Sequence, residues 1–174
     1  MQRKSFLKLF LETMSYVLAG NILALVVTIT LAGFSAENNI IMGIAAFLSV
    51  TLFLTFMFSA AHKDGEQERK LITRNQIETP EPNKWFFIGI IVWLLLCIPC
   101  IALIFSPGFL NIFRFVMASV MALSFLIEDW KFAPFVYMGV YALTPVACRL
   151  GHYIGFYEKW SVDGLVYKNK GKEK

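Results

Sequence analysis

Residues 85–105 read WFFIGIIVWLLLCIPCIALIF, a stretch without a charged side chain. The hydrocarbon core of a bilayer is about 30 Å thick, so a helix rising about 1.5 Å per residue needs about 20 apolar residues to cross it. Two more uncharged runs meet this requirement, residues 14–36 and 40–61. The alternating polarity of membrane barrel strands does not occur. The sequence therefore predicts an all-α integral membrane protein.

The overall composition agrees with this prediction. Of the 174 residues, 57% are hydrophobic and 16% are charged, and the mean hydropathy is +0.63. These values are too apolar for a soluble or a disordered chain. Three cysteines are neither dense nor even in number, which excludes a disulfide-stapled secreted domain. The positive charges form no basic face of the kind that binds nucleic acid, so we expect no nucleic-acid partner.

The distribution of basic residues predicts the orientation, because Lys and Arg in short loops stay in the cytoplasm. Basic residues lie before the first run, throughout residues 62–84 and in the tail, residues 158–174, but are missing from the turn at 37–39. We therefore expect both termini in the cytoplasm of a bacterial inner membrane, and an even number of crossings. Residues 62–84 are predicted to form a cytoplasmic polar loop whose first helical turns are broken at Gly65.

Two apolar stretches remain, residues 109–127 and 132–157, although an even count leaves room for one crossing. The first contains Arg114 and is followed by Glu128 and Asp129, which is the charge balance of an external loop. The second ends in basic and aromatic residues that suit a cytoplasmic interface. We predict four transmembrane helices, with the fourth at 132–157, and a re-entrant or interfacial helix at 109–127 on the outer side. The alternatives are five transmembrane helices with the tail outside, or a spanning 109–127 followed by a re-entrant carboxyl segment.

Small residues recur at a spacing of four in three of these helices, which places them on one stripe and lets another helix approach closely. Packing within one monomer and docking of a partner or a second copy use the same residue types, so both interpretations stay open. The predicted helix-packing residues are Gly20, Ala24, Thr28 and Ala32 in the first helix, Thr51, Thr55 and Ser59 in the second, and Ala147, Gly151 and Gly155 in the fourth.

Polar groups at membrane depth are costly and are therefore candidates for a binding role. Asn21 lies within the first helix and Arg114 within the outer segment. If Arg114 lies in the protein interior, Glu128 and Asp129 are the acids that could pair with it. These four residues are the predicted binding candidates.

Cys97 and Cys100 form a C-x-x-C pattern around Pro99 in the third helix. Thiols at this spacing can exchange a disulfide, and the pattern resembles that of quinone-linked, four-helix membrane thiol oxidoreductases. Such enzymes need a second cysteine pair, and only Cys148 remains here, so small apolar packing beside a proline kink is the favoured interpretation. His62 and His152 have no second ligand at metal spacing. We expect no metal, no cofactor and no catalytic residue outside this cysteine pair.

The end of the chain carries a weak resemblance. Residues 149–156, Arg-Leu-Gly-His-Tyr-Ile-Gly-Phe, are followed by Ser-Val-Asp-Gly-Leu-Val-Tyr-Lys at 161–168 and a run of lysines. This carboxyl-terminal third, with the Gly65 to Lys84 loop, resembles small uncharacterised multi-span membrane proteins of Gram-positive gut bacteria. The glycine expected directly after Lys84 is missing. The resemblance implies a tail that returns to the cytoplasm, and it implies no activity.

The leading functional hypothesis is a non-enzymatic accessory or interaction subunit of a membrane complex, whose partners are the bilayer and another membrane protein or a second copy. One alternative is a small homo-oligomeric transporter or pore. That alternative predicts that the polar side chains at membrane depth converge on one water-filled cavity. These side chains are Asn21, Thr51, Thr55, Ser59 and Arg114. A second alternative is a thiol oxidoreductase that uses Cys97 and Cys100.

Overall fold

The computed structural model describes residues 5–35, 38–76, 81, 83–105, 108, 113–114, 116–127 and 131–157, and within these ranges the regular elements are all helices. Glu128, Asp129 and the predicted tail, residues 158–174, lie outside the described residues. The helices are α1 (Phe6–Ser35), α2 (Asn39–Thr73), α3 (Lys84–Phe105), α4 (Ala118–Met121), α5 (Leu123–Leu126), α6 (Ala133–Tyr141) and α7 (Leu143–Tyr157).

Three of these helices, α1, α2 and α3, are long and apolar enough to cross a membrane. They coincide with the first three predicted spans, since a run of apolar residues about 20 long is a property of the local sequence. Residues 6–13, which precede the first uncharged run, belong to the same helix, because α1 begins at Phe6. Asn38 caps α2 through its side-chain oxygen, which accepts hydrogen bonds from the backbone N–H groups of Ile40 and Ile41.

The helical turns expected at the start of the polar segment 62–84 are present in residues 62–73, whereas the break expected at Gly65 does not occur. Helix α2 continues through Gly65 to Thr73, and we call residues 62–73 the α2 extension. A glycine inside a helix costs only about 1 kcal/mol relative to alanine, and here it allows close packing. A Cβ atom on Gly65 would collide with the backbone oxygen of His152 in α7.

The predicted fourth helix, 132–157, is divided into α6 and α7 at Ala142. Proline lacks an N–H group, so Pro145 cannot bond the carbonyl of Tyr141 as a continuous helix requires. Both helices pack on the three long helices: α6 contacts α3, and α7 contacts α2 and α3. Trp93 Nε1 donates to the backbone oxygen of Met138 over 3.0 Å, which holds α6 on α3.

Helix α7 packs most extensively on α2 and also contacts α3. Gly151 lies against Phe58 and Gly155 against His62. Because both residue numbers increase together along the two helices, α7 runs parallel to α2. Tyr157 therefore ends near the α2 extension.

Residues 116–127 form the two short helices α4 and α5 between the longer elements. Ser119 in α4 reaches Asn21 near the middle of α1, while Ala122 packs with Met42 and Ala46 at the beginning of α2. The described part of the predicted 109–127 helix is thus a broken segment that contacts Asn21 in α1 and the beginning of α2.

Candidate functional site

The α2 extension carries two carboxylates that are buried despite the polar sequence around them. Asp64 is 4% exposed and Glu68 is 3% exposed. Residues four apart lie on the same face of a helix, and this face also contains the buried Gly65 and Leu71. The extension is therefore an amphipathic helix packed on the bundle along one side.

Asp64 is held by the first two residues of α3. Its Oδ2 atom accepts a hydrogen bond of 2.9 Å from the indole Nε1 of Trp85 and lies 2.9 Å from Nζ of Lys84. The Lys84 and Asp64 side chains are 7% and 6% exposed. A buried charge is tolerated only when it is paired and hydrogen-bonded, and this carboxylate has both kinds of partner.

Glu68 is held by α7 and by the segment that precedes α3. Its Oε2 atom lies 2.9 Å from Nε2 of His152, with both side chains 3% exposed. These two atoms are within hydrogen-bond distance, and the His152 ring nitrogen is the donor when the carboxylate is ionised. The backbone N–H of Glu81 donates to Oε1 of Glu68 over 3.4 Å. The two oxygens of Glu68 thus connect α2 to two other parts of the chain.

Close backbone approach between α2 and α7 positions these pairs. A Cβ atom on Gly151 would collide with the backbone oxygen of Phe58, and one on Gly155 with that of His62. Glycine alone allows helices to approach this closely, as in other small-residue interfaces in membranes. His152 lies between the two glycines in α7. The close approach of α7 to α2 at these glycines therefore places the His152 ring beside Glu68.

We call Asp64, Glu68, Lys84, Trp85 and His152 the ion-pair cluster. Each acid faces its own base, and the described residues contain no group of His, Cys, Asp and Glu side chains that could hold a metal ion. Breaking such a buried pair costs more than forming it gains, so the cluster locks three helices together. The arrangement supports a positional role better than a catalytic one.

The opposite side of the α2 extension is basic. Lys70 and Arg74 are exposed, and together with Arg69 and Thr73 they surround a depression of about 280 Å³. We call Arg69, Lys70 and Arg74 the basic edge. Asp64 and Glu68 are turned inward, and Glu66, which is 36% exposed, is the one described acid of the extension near its surface, so positive charge dominates this edge.

A second polar group lies within the bundle. The backbone N–H and the hydroxyl of Ser119 both donate to Oδ1 of Asn21, over 3.1 Å and 2.9 Å. Oγ of Ser119 is also 2.8 Å from the hydroxyl of Tyr141. Asn21 Nδ2 donates to the carbonyl of Val17. Asn21 therefore anchors α4 to the middle of α1, which is a packing role that the sequence did not indicate.

Arg114 does not join this group. Its Nε atom donates to Oγ of Ser124 over 3.1 Å, and its guanidinium lies 4.7 Å from the centre of the Phe125 ring. The predicted acid partners, Glu128 and Asp129, lie outside the described residues.

The polar residues predicted to line a pore are not brought together. Thr51 and Thr55 are exposed on α2, and Thr55 Oγ1 donates to the carbonyl of Thr51 in its own helix. Asn21 is directed to Ser119 and Arg114 to Ser124. Ser59 is half-buried in the same helix as the threonines.

Two of the three small-residue stripes pack inside the monomer. On α1, Gly20 contacts Phe53, Thr28 Oγ1 is 3.0 Å from Oγ of Ser49, and Ser49 also donates to the carbonyl of Ala24. Gly151 and Gly155 of α7 contact α2 as described above. The half-buried Ala32 and Ala147 continue these two stripes, whereas the stripe of Thr51, Thr55 and Ser59 faces outward for most of its length.

The three cysteines are buried and free. Cys100 donates through Sγ to the carbonyl of Leu96 in its own helix. Gly89 of α3 contacts Pro145 of α7, and these two helices are antiparallel. Cys97 therefore lies eight residues from this contact toward one end of the bundle, and Cys148 lies three residues from it toward the other end. At about 1.5 Å per residue this separates the two thiols by about 16 Å along the helix axes.

No family model, no curated protein and no solved structure matches the chain.

The ion-pair cluster was not predicted from the sequence. Patterns within one segment of the sequence show no partner for His152. The polar residues around Asp64 and Glu68 indicate that both acids lie in a solvated loop. One signal was available, because Ala61, Asp64, Gly65, Glu68 and Leu71 follow helical spacing beyond the apolar run.

Proposed function

We propose that this chain is a non-enzymatic, multi-pass protein of the bacterial inner membrane that acts as an accessory or interaction subunit. Its docking element is the basic edge of the α2 extension. The observation that carries the proposal is the division of charge on this helix: Asp64 and Glu68 are paired internally, while Lys70 and Arg74 are exposed. A rigid helix with outward positive charge suits an acidic surface on a partner subunit.

The proposed topology has four crossings, α1, α2, α3 and the pair α6–α7, with both termini in the cytoplasm. Supporting it, α7 runs parallel to α2 and ends beside the α2 extension, so Tyr157 and the basic edge share one side. The segment containing α4 and α5 is then a re-entrant element on the outer side. Its Ser119 reaches Asn21 at membrane depth, where backbone polar groups must find partners inside the protein.

The arrangement of polar groups favours an interaction role over transport. The candidate pore residues point to separate partners or outward, and the buried acids Asp64 and Glu68 are saturated by the bases and the indole of the ion-pair cluster. A membrane transporter needs polar groups that converge on a shared water-filled path. The thiol oxidoreductase alternative has no support from the distance between Cys97 and Cys148.

The test is purification in mild detergent at native expression level, with the complex mass measured and co-purifying proteins identified. The docking variant is Lys70→Ala with Arg74→Ala, and the matched control is Lys131→Ala, an exposed lysine before α6. We expect a membrane subunit that co-purifies with the wild-type and control chains and is lost from the double variant. A homo-oligomer without another subunit, or a subunit retained equally by the double variant, would overturn the proposal. Equal elution volumes of the three purified chains establish that folding is unchanged.

A further inference from the structure

A groove of about 580 Å³ runs between α1 and α3. Helix α1 packs on α2 and α4, and α3 packs on α6 and α7, whereas α1 and α3 have almost no direct contact along their described lengths. Met117, directly before α4, contributes to the lining at the back. Leu18 and Ile22 at the mouth are 64% and 54% exposed, so the groove opens sideways between the helices.

The lining is hydrocarbon. On α1 it extends from Met14 to Leu25, and on α3 from Val92 to Pro99. Asn21 is the polar side chain among the described lining residues, and its oxygen is occupied by Ser119 while its nitrogen donates to Val17. The groove therefore contacts a bound molecule through apolar atoms, and the side-chain oxygen of Asn21 already accepts two hydrogen bonds from Ser119.

The dimensions select the occupant. From Met14 to Leu25 the groove is about 16 Å long at 1.5 Å per residue, close to the roughly 15 Å of hydrocarbon in one leaflet. A helix about 10–12 Å in diameter would fill about 1,300–1,800 Å³ over that length, more than this groove of about 580 Å³ can enclose, so a helix could only cover its mouth. The lining residues are also long or branched at the mouth, whereas helices in membranes associate through small residues.

We infer that this groove binds one acyl chain of a phospholipid from the cytoplasmic leaflet. The chain would fill the gap that separates α1 from α3 and would contact Met117, so it would brace the re-entrant segment from the lipid side. Such a site requires α1 and α3 to cross a membrane but requires no protein partner. Loss of the proposed partner subunit would leave it standing, and the failure of lipid binding would leave the docking proposal standing.

The experiment counts lipid on the purified full-length chain. The protein is equilibrated with phosphatidylglycerol in mild detergent, washed, and examined by native mass spectrometry. Ile22→Trp fills the groove, and Ile29→Trp is its control, because both isoleucines are 54% exposed on α1 and Ile29 lies beyond the groove. A second matched pair on α3 is Leu95→Trp, in the groove, and Leu94→Trp, outside it.

We expect a single phosphatidylglycerol to persist on the wild-type chain and on both controls. Its retention should fall about tenfold in each groove variant, as expected when about ten van der Waals contacts of the acyl chain are lost. Equal retention by wild-type and groove variants, or equal loss from groove and control variants, would overturn the inference. A photoreactive side chain at position 22 that cross-links to a second polypeptide instead of the lipid would also overturn it.

Discussion

The Nε2 atom of His152 lies 2.9 Å from the Oε2 atom of Glu68, and each side chain is only 3% exposed. This contact joins the end of α7 to the α2 extension across a long separation in sequence. Together with the contact between Lys84 and Asp64, it connects α2, α3 and α7 at one end of the bundle. The orientation of the basic edge therefore depends on these pairs.

Replacing Glu68 by alanine leaves His152 buried without its acceptor. We expect Glu68→Ala to lower the free energy of unfolding by about 1–3 kcal/mol, the cost of leaving a buried hydrogen-bonding group without its partner. The measurement is a denaturation titration with SDS in mixed micelles. The control is Glu66→Ala, because Glu66 is 36% exposed and 4.0 Å from His62; an exposed pair of this kind contributes under about 1 kcal/mol. Equal losses in the two variants would contradict a locking role for Glu68.

Gly155 and Gly139 give opposite expectations for the same substitution. Gly155→Ala would place a Cβ atom against the backbone oxygen of His62, so we expect a destabilisation of about 1–3 kcal/mol from overpacking. A Cβ atom added to Gly139, in α6, would meet nothing within 4 Å, so Gly139→Ala should stabilise the helix by about 0.5–1 kcal/mol. Thermal unfolding of both variants in detergent measures the difference. Stabilisation by both substitutions would show that α2 and α7 do not pack closely at Gly155.

The parts of the fold that could be predicted from the sequence are those set by local chemistry. Each of α1, α2 and α3 contains an uncharged run long enough for a bilayer, and such a run needs no knowledge of its neighbours. The α2 extension is different, because Asp64 and Glu68 are unfavourable in a buried helix until Lys84 and His152 arrive from distant parts of the chain. Their pairing is a tertiary property, and for this reason the polar composition of residues 62–73 indicated a loop.

The candidate site could be predicted only in fragments for the same reason. The stripe that contains Gly151 and Gly155 was visible in the sequence, but its contact with α2, and hence the position of His152, was not. Asn21 was recognised as costly at membrane depth. The partner of Asn21 is Ser119, which lies 98 residues further along the chain in the segment between α3 and α6. A contact between such distant residues cannot be found from the spacing of residues in one helix.

The proposed four-crossing topology makes a prediction about accessibility. In a chain whose three native cysteines are replaced by alanine, single cysteines at the exposed positions Thr73, Lys131 and Tyr157 report the side of the membrane. A membrane-impermeant maleimide applied to intact cells or spheroplasts should label position 131 and should spare positions 73 and 157, because α7 is parallel to α2. Permeabilised cells, in which all three should react, are the control. Labelling of position 157 from outside would favour five crossings.

Asn21 anchors the segment containing α4, and Asn21→Ala should release it. The substitution leaves the buried N–H of Ser119 without its acceptor, at a cost of about 1–2 kcal/mol. In Asn21→Ala, we expect hydrogen exchange in residues 116–127 to be faster than in the wild-type chain, while exchange in α3 stays the same. The measurement is mass spectrometry on the detergent-purified chain. Thr30→Ala is the matched control, since Thr30 is exposed and donates to Val26 in its own helix, and it should leave exchange in this segment unchanged. If the segment exchanges equally in the wild-type chain and in Asn21→Ala, then Asn21 does not hold α4 in place, and the position of this segment must be stabilised by apolar contacts such as that of Ala122 with Met42.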